Sequence, residues 1–340
     1  MTTSPELPIP TDPRPPTSRR RRVLIIVSLV VLLPLAALFA LVMQRQYVYD
    51  SNIQRVQDVF PAEPDRPAKT VGPAQNWLIV GADRRPGESG YQRSDSIMIA
   101  HIPANRERVF LISIPRDSYV TIPGHGKDKI NAAYAYGGPR LLISTIEKLV
   151  GVRIDHFAAL DFTGFVAMTK ALGGVEVYVS RDSYDSANKI TWRQGNTSLD
   201  GERALLFVRQ RYGLPGGDFD RIKRQQAFLR AMTQKAVSKG TLTDPLALDA
   251  FLQALTTSVT VDSDVTISTL RTLAFELRGV RGSDILSATI PFEGTDMVKG
   301  ASIVRLDARE GALLAEAMRN DTLDRYFSDN GGLNVTSAVN

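Results

Sequence analysis

Four arginines crowd a sixteen-residue window, Arg209 and Arg211 in Val208-Arg209-Gln210-Arg211 and Arg221 and Arg224 in the run from Gly217 to Gln226. A guanidinium stays charged at any physiological pH and presents a planar fork of donors that matches phosphate oxygens. Gathering several of them calls for a ligand with more than one negative charge, and a diphosphate is the natural candidate. Taken singly, each arginine is equally an ion-pair partner for Asp218 or Asp220; taken together, they outnumber those acids. Asp83 and Asp95, near Arg93 and Arg116, are candidate oxygen ligands for a divalent cation such as Mg²⁺, with turn capping as the plainer alternative. For Arg116 beside Asp117, the plainer alternative is a surface ion pair of little energetic weight.

Short elements must bring these groups together. Asn76 to Gly81, Ser96 to Ile102 and Arg108 to Ile114 read as strands, and as an antiparallel meander they set Asp83, Asp95 and Arg116 on one edge. Asn131 to Tyr136 and Pro139 to Val150 read as helices, His156 to Phe162 as a strand, and Phe165 to Leu172 as a helix closed by Gly173-Gly174. Asp200 is placed to cap a helix through Val208, and Asp218 to cap the next, with Phe219, Ile222, Leu229, Met232 and Ala236 as its buried stripe and Arg221, Gln225 and Phe228 on a neighbouring face. Lys127 and Lys129 read as a solvated loop or as lid contacts to the ligand. Strands and helices interleave, which makes the fold α/β: a mixed central sheet covered by helices. Phe157, Leu160, Phe162, Phe165, Val166, Met168 and Leu172 are either core or the wall of an apolar groove for a lipid tail.

The 340-residue chain has no cysteine, which excludes thiol catalysis, disulfides and zinc-thiolate sites, and its three histidines are too scattered for a metal site. Its net charge of +5 owes much to residues 1–22, where five arginines stand against Glu6 and Asp12, so it is no sign of nucleic-acid binding. Residues 1–22 read as a disordered cytoplasmic tail and 23–43 as one transmembrane helix, an apolar run preceded by Arg19 to Arg22 that sends the rest outside the cytoplasm. Residues 44–75, with Pro61, Pro64 and Pro67, read as a stalk, 76–320 as the catalytic domain and 321–340 as a C-terminal tail.

The chain resembles the LytR-CpsA-Psr family of cell-envelope proteins. The resemblance is carried by Gly81-Ala82-Asp83, Arg93-Ser94-Asp95-Ser96-Ile97, Ser113-Ile114-Pro115-Arg116-Asp117, Lys129-Ile130-Asn131-Ala132-Ala133-Tyr134, Leu172-Gly173-Gly174-Val175, Val208-Arg209-Gln210-Arg211 and Gly217-Asp218-Phe219-Asp220-Arg221 with Arg224-Gln225-Gln226. It implies a phosphotransferase that moves a glycopolymer phosphate from a polyprenyl-pyrophosphate carrier to a peptidoglycan sugar hydroxyl, with the lipid in an apolar tunnel. Asp83 and Asp95 would hold Mg²⁺, or Mn²⁺, while Arg93, Arg116, Arg209, Arg211, Arg221 and Gln225 would contact the pyrophosphate, with Arg224 counted in the same cluster. Asp220 stands where many members have glycine, and Ala82 where serine or threonine is common. Arginine cannot accept the incoming hydroxyl's proton, which leaves Asp117, Asp218 and Asp220 as candidates. A non-catalytic receptor for a lipid-linked polysaccharide and a pyrophosphatase are the alternatives.

Overall fold

The computed structural model describes residues 39–82, 91, 94–330 and 338–339. The chain divides into two compact units, Met1–Val48 and Tyr49–Asn340. In the first, residues 39–48 are helical (α1) and expose Phe39, Leu41, Val42, Met43 and Tyr47. The expected cytoplasmic tail and most of the expected membrane span lie outside the described residues. Among the described residues no helix is long and apolar enough to cross a membrane.

The second unit is built on a seven-stranded mixed sheet. In chain order its elements begin with β1 (Gln54–Val56), β2 (Gln75–Ala82), β3 (Ser94–Ile102), β4 (Val109–Ser113), the hairpin β5 (Tyr119–Ile122) and β6 (Gly126–Lys129), and α2 (Ile130–Val150). Then come β7 (His156–Asp161), α3 (Phe162–Ala171), β8 (Val175–Val179), β9 (Ser183–Asp185), β10 (Ile190–Trp192), β11 (Gly195–Leu199), α4 (Gly201–Arg209) and α5 (Asp218–Ala236). The remainder is α6 (Lys239–Thr243), α7 (Pro245–Ser258), β12 (Val259–Asp262), α8 (Ile267–Glu276), β13 (Ile285–Thr289), β14 (Phe292–Val298), β15 (Ala301–Leu306), α9 (Ala308–Arg319) and α10 (Leu323–Asp329).

The sheet order is β1-β12-β7-β2-β3-β4-β13, with β2, β3 and β4 antiparallel in succession as the meander requires, and β2 parallel to β7. Each meander strand is buried on both sides, and its side chains alternate between two cores as a two-residue period dictates. Leu78, Val80, Ile97, Ile99, Phe110 and Ile112 face a core closed by α2 and α9, whereas Trp77, Ala100, Ile102 and Leu111 face one shared with Val261 and Val265. A third cluster, among α3, α4, α5 and β8, contains Val175, Phe207 and Phe228.

The helix break expected between Tyr136 and Pro139 is present: Gly137 and Gly138 leave helical geometry inside α2, Gly138 at φ 61°. A Cβ on Gly138 would lie 2.3 Å from the Tyr91 ring, so close packing and backbone conformation both require glycine there.

Three boundaries differ from the expectation. Residues 44–75 are no free stalk: β1 pairs in parallel with β12, Ile53 and Val59 are buried, and Arg66 meets the buried Glu147 of α2 at 2.8 Å. A three-residue strand is too short to show periodicity, and the surrounding prolines masked it. The segment from residue 321 is likewise more than a tail, because α10 buries Leu323 and Phe327 in the first core. Lys127 and Lys129 lie in strand β6 instead of a loop, and Lys129 Nζ meets Asp117 Oδ1 at 2.8 Å.

Candidate functional site

Asp95 is the second residue of β3, and Arg116 follows β4 after Pro115, so the antiparallel register puts them on the same edge. There Arg116 Nη1 donates to Asp95 Oδ1 at 2.6 Å. Arg209 ends α4, and Gln210 turns the chain out of the helix with ψ 135°, so that Arg211 follows on an extended backbone. Arg209 Nη2 lies 3.9 Å from Asp95 Oδ2, with its guanidinium 4.2 Å over the Phe162 ring. Arg211 Nε is 3.3 Å from Asp218 Oδ1.

Helix α5 supplies the buried member. Its cap is Gly217 at φ 53°, and Asp218 is the first helical residue instead of the cap that its side chain had suggested. Gln226 fixes the helix to the sheet by donating to Ser113 Oγ at 2.7 Å and to the Ala288 carbonyl at 2.9 Å. On the next face, Arg221 is 3% exposed; its Nη2 lies 2.9 Å from Asp218 Oδ1 and donates to the Asp95 carbonyl at 3.3 Å. Burial pulls the Arg221 pKa down to about 10, with Asp218 opposing the shift, so the side chain stays charged at neutral pH. Gln225 and Phe228 follow Arg221 by four and seven positions and share its face.

Four guanidinium groups thus converge on Asp95 and Asp218. The Nε atoms of Arg116 and Arg221 are buried and have no hydrogen-bond partner among the described residues. Buried donors of this kind are costly to leave unsatisfied, and their natural complement is an anion.

These arginines rim a cavity of about 290 Å³ whose interior is apolar, formed by Ile79, Met98, Phe165, Leu205, Phe228 and Met232. Of the residues expected to be either core or groove, Leu160, Phe162 and Phe165 line this cavity. Phe157, Met168 and Leu172 are buried in the cores. A second cavity, of about 440 Å³, shares Asp95, Arg116 and Arg211 with the first and is polar, adding Asp117, Lys129, Asn131, Asp218, Thr295 and Ser302.

Arg224 does not join the cluster. It is fully buried, with Nη1 donating to Gln210 Oε1 at 2.6 Å and Nη2 to Ser183 Oγ at 2.9 Å, over the Phe207 ring. Three positions beyond Arg221 it faces a different neighbour, and it ties α5 to the end of α4 and to β9. Asp83 and Arg93 lie outside the described residues. Among the described residues no three histidine or acidic side chains cluster as a metal site would require. Sequence reasoning missed Thr295 and Ser302, which sit in a ribbon far along the chain, and the packing of Arg209 on Phe162, for which no spacing signal exists.

Residues 47–320 match the profile of the LytR_cpsA_psr family. The chain is 38% identical over 255 residues to a Corynebacterium glutamicum protein named probable cell wall biosynthesis protein LcpB; the match covers 71% of this chain but only 59% of that relative's length. Among solved structures it is similar to Bacillus subtilis TagV, with a TM-score of 0.61 and 26% identity over 73% of this chain and 97% of that one. A structure of TagT bound to LI-WTA matches with a TM-score of 0.60 and 26% identity over 77% of this chain and 98% of that one. With the family profile spanning most of the chain and the arginine-rimmed cavity built from the residues that carry the resemblance, the protein belongs to the LytR-CpsA-Psr family.

Proposed function

We propose that the protein is a membrane-anchored, extracytoplasmic phosphotransferase of cell-wall assembly that moves a glycopolymer phosphate from a polyprenyl-pyrophosphate carrier to a peptidoglycan sugar hydroxyl. The observation that carries this reading is the junction of an apolar cavity with a rim of arginines, two of which have buried donors without acceptors among the described residues. An amphiphile with a prenyl tail and a diphosphate head complements both halves. Family membership and the similarity to TagT bound to LI-WTA support a cell-wall glycopolymer as the cargo.

The chain's own groups supply positioning and charge dispersal, which is most of what phosphoryl transfer asks of a protein. Arg116 and Arg221 approach the diphosphate from the sheet edge and from α5, and Arg209 and Arg211 from the end of α4. Asp95 and Asp218 hold these guanidinium groups apart and oriented. Asp95 Oδ2 lies 3.9 Å from Arg209 Nη2, beyond hydrogen-bonding distance, and would be the oxygen to bind a hard cation. Mg²⁺ or Mn²⁺ held by Asp95 with Asp83 would neutralise charge on the diphosphate.

The test is incubation of the purified protein with a polyprenyl-pyrophosphate-linked oligosaccharide, peptidoglycan oligomers and Mg²⁺, followed by mass spectrometry. A phosphodiester-linked conjugate is expected, and none from Asp95→Asn. Free glycan phosphate alone would make the protein a pyrophosphatase, and tight donor binding without any product a receptor.

A further inference from the structure

The polar cavity adjoins the apolar one and shares Asp95, Arg116 and Arg211 with it. A phosphoryl group held by those arginines faces both spaces. If the carrier's tail leaves through the apolar side, the attacking group must come from the other, as displacement at phosphorus with attacking and leaving oxygens in line demands.

The lining suits a polyhydroxylated ligand. Thr295 and Ser302 offer hydroxyls, and Asn131, 4% exposed, has an Oδ1 that accepts no hydrogen bond among the described residues. The ribbon of β14 and β15 forms one wall and is fastened to the segment carrying Asp117, since Val304 N donates to the Asp117 carbonyl at 2.9 Å. Phe219 in the lining stacks on the half-exposed Phe292 with centroids 4.4 Å apart and planes 11° apart, an apolar face of the kind a sugar ring can pack against.

We propose that this cavity receives the sugar end of the acceptor and that Asp117 takes the proton from its attacking hydroxyl, an inference that rests on the transferase reading above. The choice among the aspartates is geometric. Asp220 lines neither cavity; its Oδ2 accepts from Gly216 N at 2.9 Å, and its Oδ1 faces Lys223 at 3.5 Å. Asp218 accepts from Arg221 through Oδ2 at 3.0 Å, and its Oδ1, buried and accepting no hydrogen bond among the described residues, is surrounded by the cations it orients, Arg221 at 2.9 Å, Arg211 at 3.3 Å and Arg116 at 3.8 Å. Asp95 gives Oδ1 to Arg116 at 2.6 Å, and its Oδ2 is the oxygen assigned above to the cation.

Asp117 differs. Its Oδ1 is oriented by Lys129 Nζ at 2.8 Å, while among the described residues the guanidinium nitrogen nearest Oδ2 is Arg116 Nε at 3.8 Å, beyond hydrogen-bonding reach. That leaves one oxygen, in the polar cavity and next to the phosphate-gripping arginine, able to accept a proton. In the step, the acceptor oxygen bonds to the glycan-side phosphorus and its proton passes to Asp117. The bond from that phosphorus to the bridging oxygen breaks, and polyprenyl phosphate leaves with the electron pair.

The experiment compares wild type, Asp117→Asn and Asp117→Ala in the conjugate-forming assay, alongside titration of each with geranylgeranyl pyrophosphate. Loss of a general base should lower kcat by about 10²–10⁴-fold. Lipid diphosphate affinity should stay within about twofold, because the Asp117 side chain makes no contact with the apolar cavity. Added formate should restore part of the Asp117→Ala rate by standing in for the carboxylate, which a merely structural role for the Lys129 pair would not allow. Turnover close to wild type, a parallel fall in lipid diphosphate affinity, or no response to formate would each overturn the assignment. Wild-type protein that makes no conjugate overturns the transferase reading and this proposal together, whereas wild-type product with an unimpaired Asp117→Ala removes only the proton assignment.

Discussion

Arg116 Nη1 and Asp95 Oδ1 lie 2.6 Å apart, joining the segment that leaves β4 to the start of β3. The contact fixes the guanidinium at the sheet edge, where the two cavities meet. It also means that the carboxylate expected to bind a cation already serves as an arginine's orienting partner.

Asp95→Ala is therefore expected to act twice, freeing Arg116 and removing a cation ligand. Turnover should fall by about 10²-fold or more, as when a charged group positioned for the transition state is lost. Asp95→Asn keeps an oxygen for Arg116 and should retain lipid diphosphate affinity better than the alanine variant. Paired kinetics and calorimetry separate the two, and identical affinities would argue against the orienting role.

Arg221→Met is expected to abolish diphosphate binding without unfolding the protein. Asp218 keeps Arg211 and Arg116 near it, so the one-sided loss should cost less than the about 3–5 kcal/mol of leaving a buried charge with no counter-charge. Arg221→Lys keeps the charge but not the fork, and should lose about 10–100-fold in affinity, the worth of one charge-assisted hydrogen bond. Thermal melting with pyrophosphate titration checks both; a large drop in Tm for Arg221→Met would make the residue structural instead.

Met232→Trp fills the apolar cavity from α5 without touching the arginines. Affinity for geranylgeranyl pyrophosphate should drop by at least about tenfold, while affinity for inorganic pyrophosphate stays level, since the larger side chain occupies volume that only the tail uses. Equal losses for both ligands would dissociate the cavity from the tail.

Glu147→Ala tests whether residues 44–75 belong to the fold. Glu147 is 1% exposed, accepts from Arg66 on both carboxylate oxygens and from Ile154 N, and its removal leaves the buried Arg66 with the exposed Glu63 at 3.6 Å as its acidic partner among the described residues. The expected loss is about 3–5 kcal/mol by chemical denaturation, the usual cost of breaking a buried pair from one side. A change under 1 kcal/mol would return the segment to the status of a linker.

The sheet meander and the arginine cluster were legible because each rests on local signals. Leu78, Val80, Ile97, Ile99, Phe110 and Ile112 alternate with residues of the opposite core, and charge spacing at Arg209, Arg211 and Arg221 pointed to one cluster. Arg224 was misread for the same reason: nearness in sequence groups it with Arg221, but a helix turns it onto Gln210 and Ser183. The polar cavity was invisible, because Thr295 and Ser302 come from a ribbon far along the chain and reach Asp117 only through tertiary contacts. The buried stripe of α5 was shifted for a related reason. Phe219 was expected to face the core, yet it stacks on Phe292 outside it, while Arg221 and Gln226 occupy interior positions that hydrophobic patterning assigns to apolar residues.

The central claim is that Arg116, Arg209, Arg211 and Arg221 grip a diphosphate whose prenyl tail enters the cavity beside them. A crystal structure of the protein with geranylgeranyl pyrophosphate and Mg²⁺ tests it most directly. Phosphate oxygens are expected within hydrogen-bonding distance of these guanidinium groups and the tail against Met98, Phe165 and Met232; a head group held elsewhere, or a tail lying outside the cavity, would rule out this mode of binding.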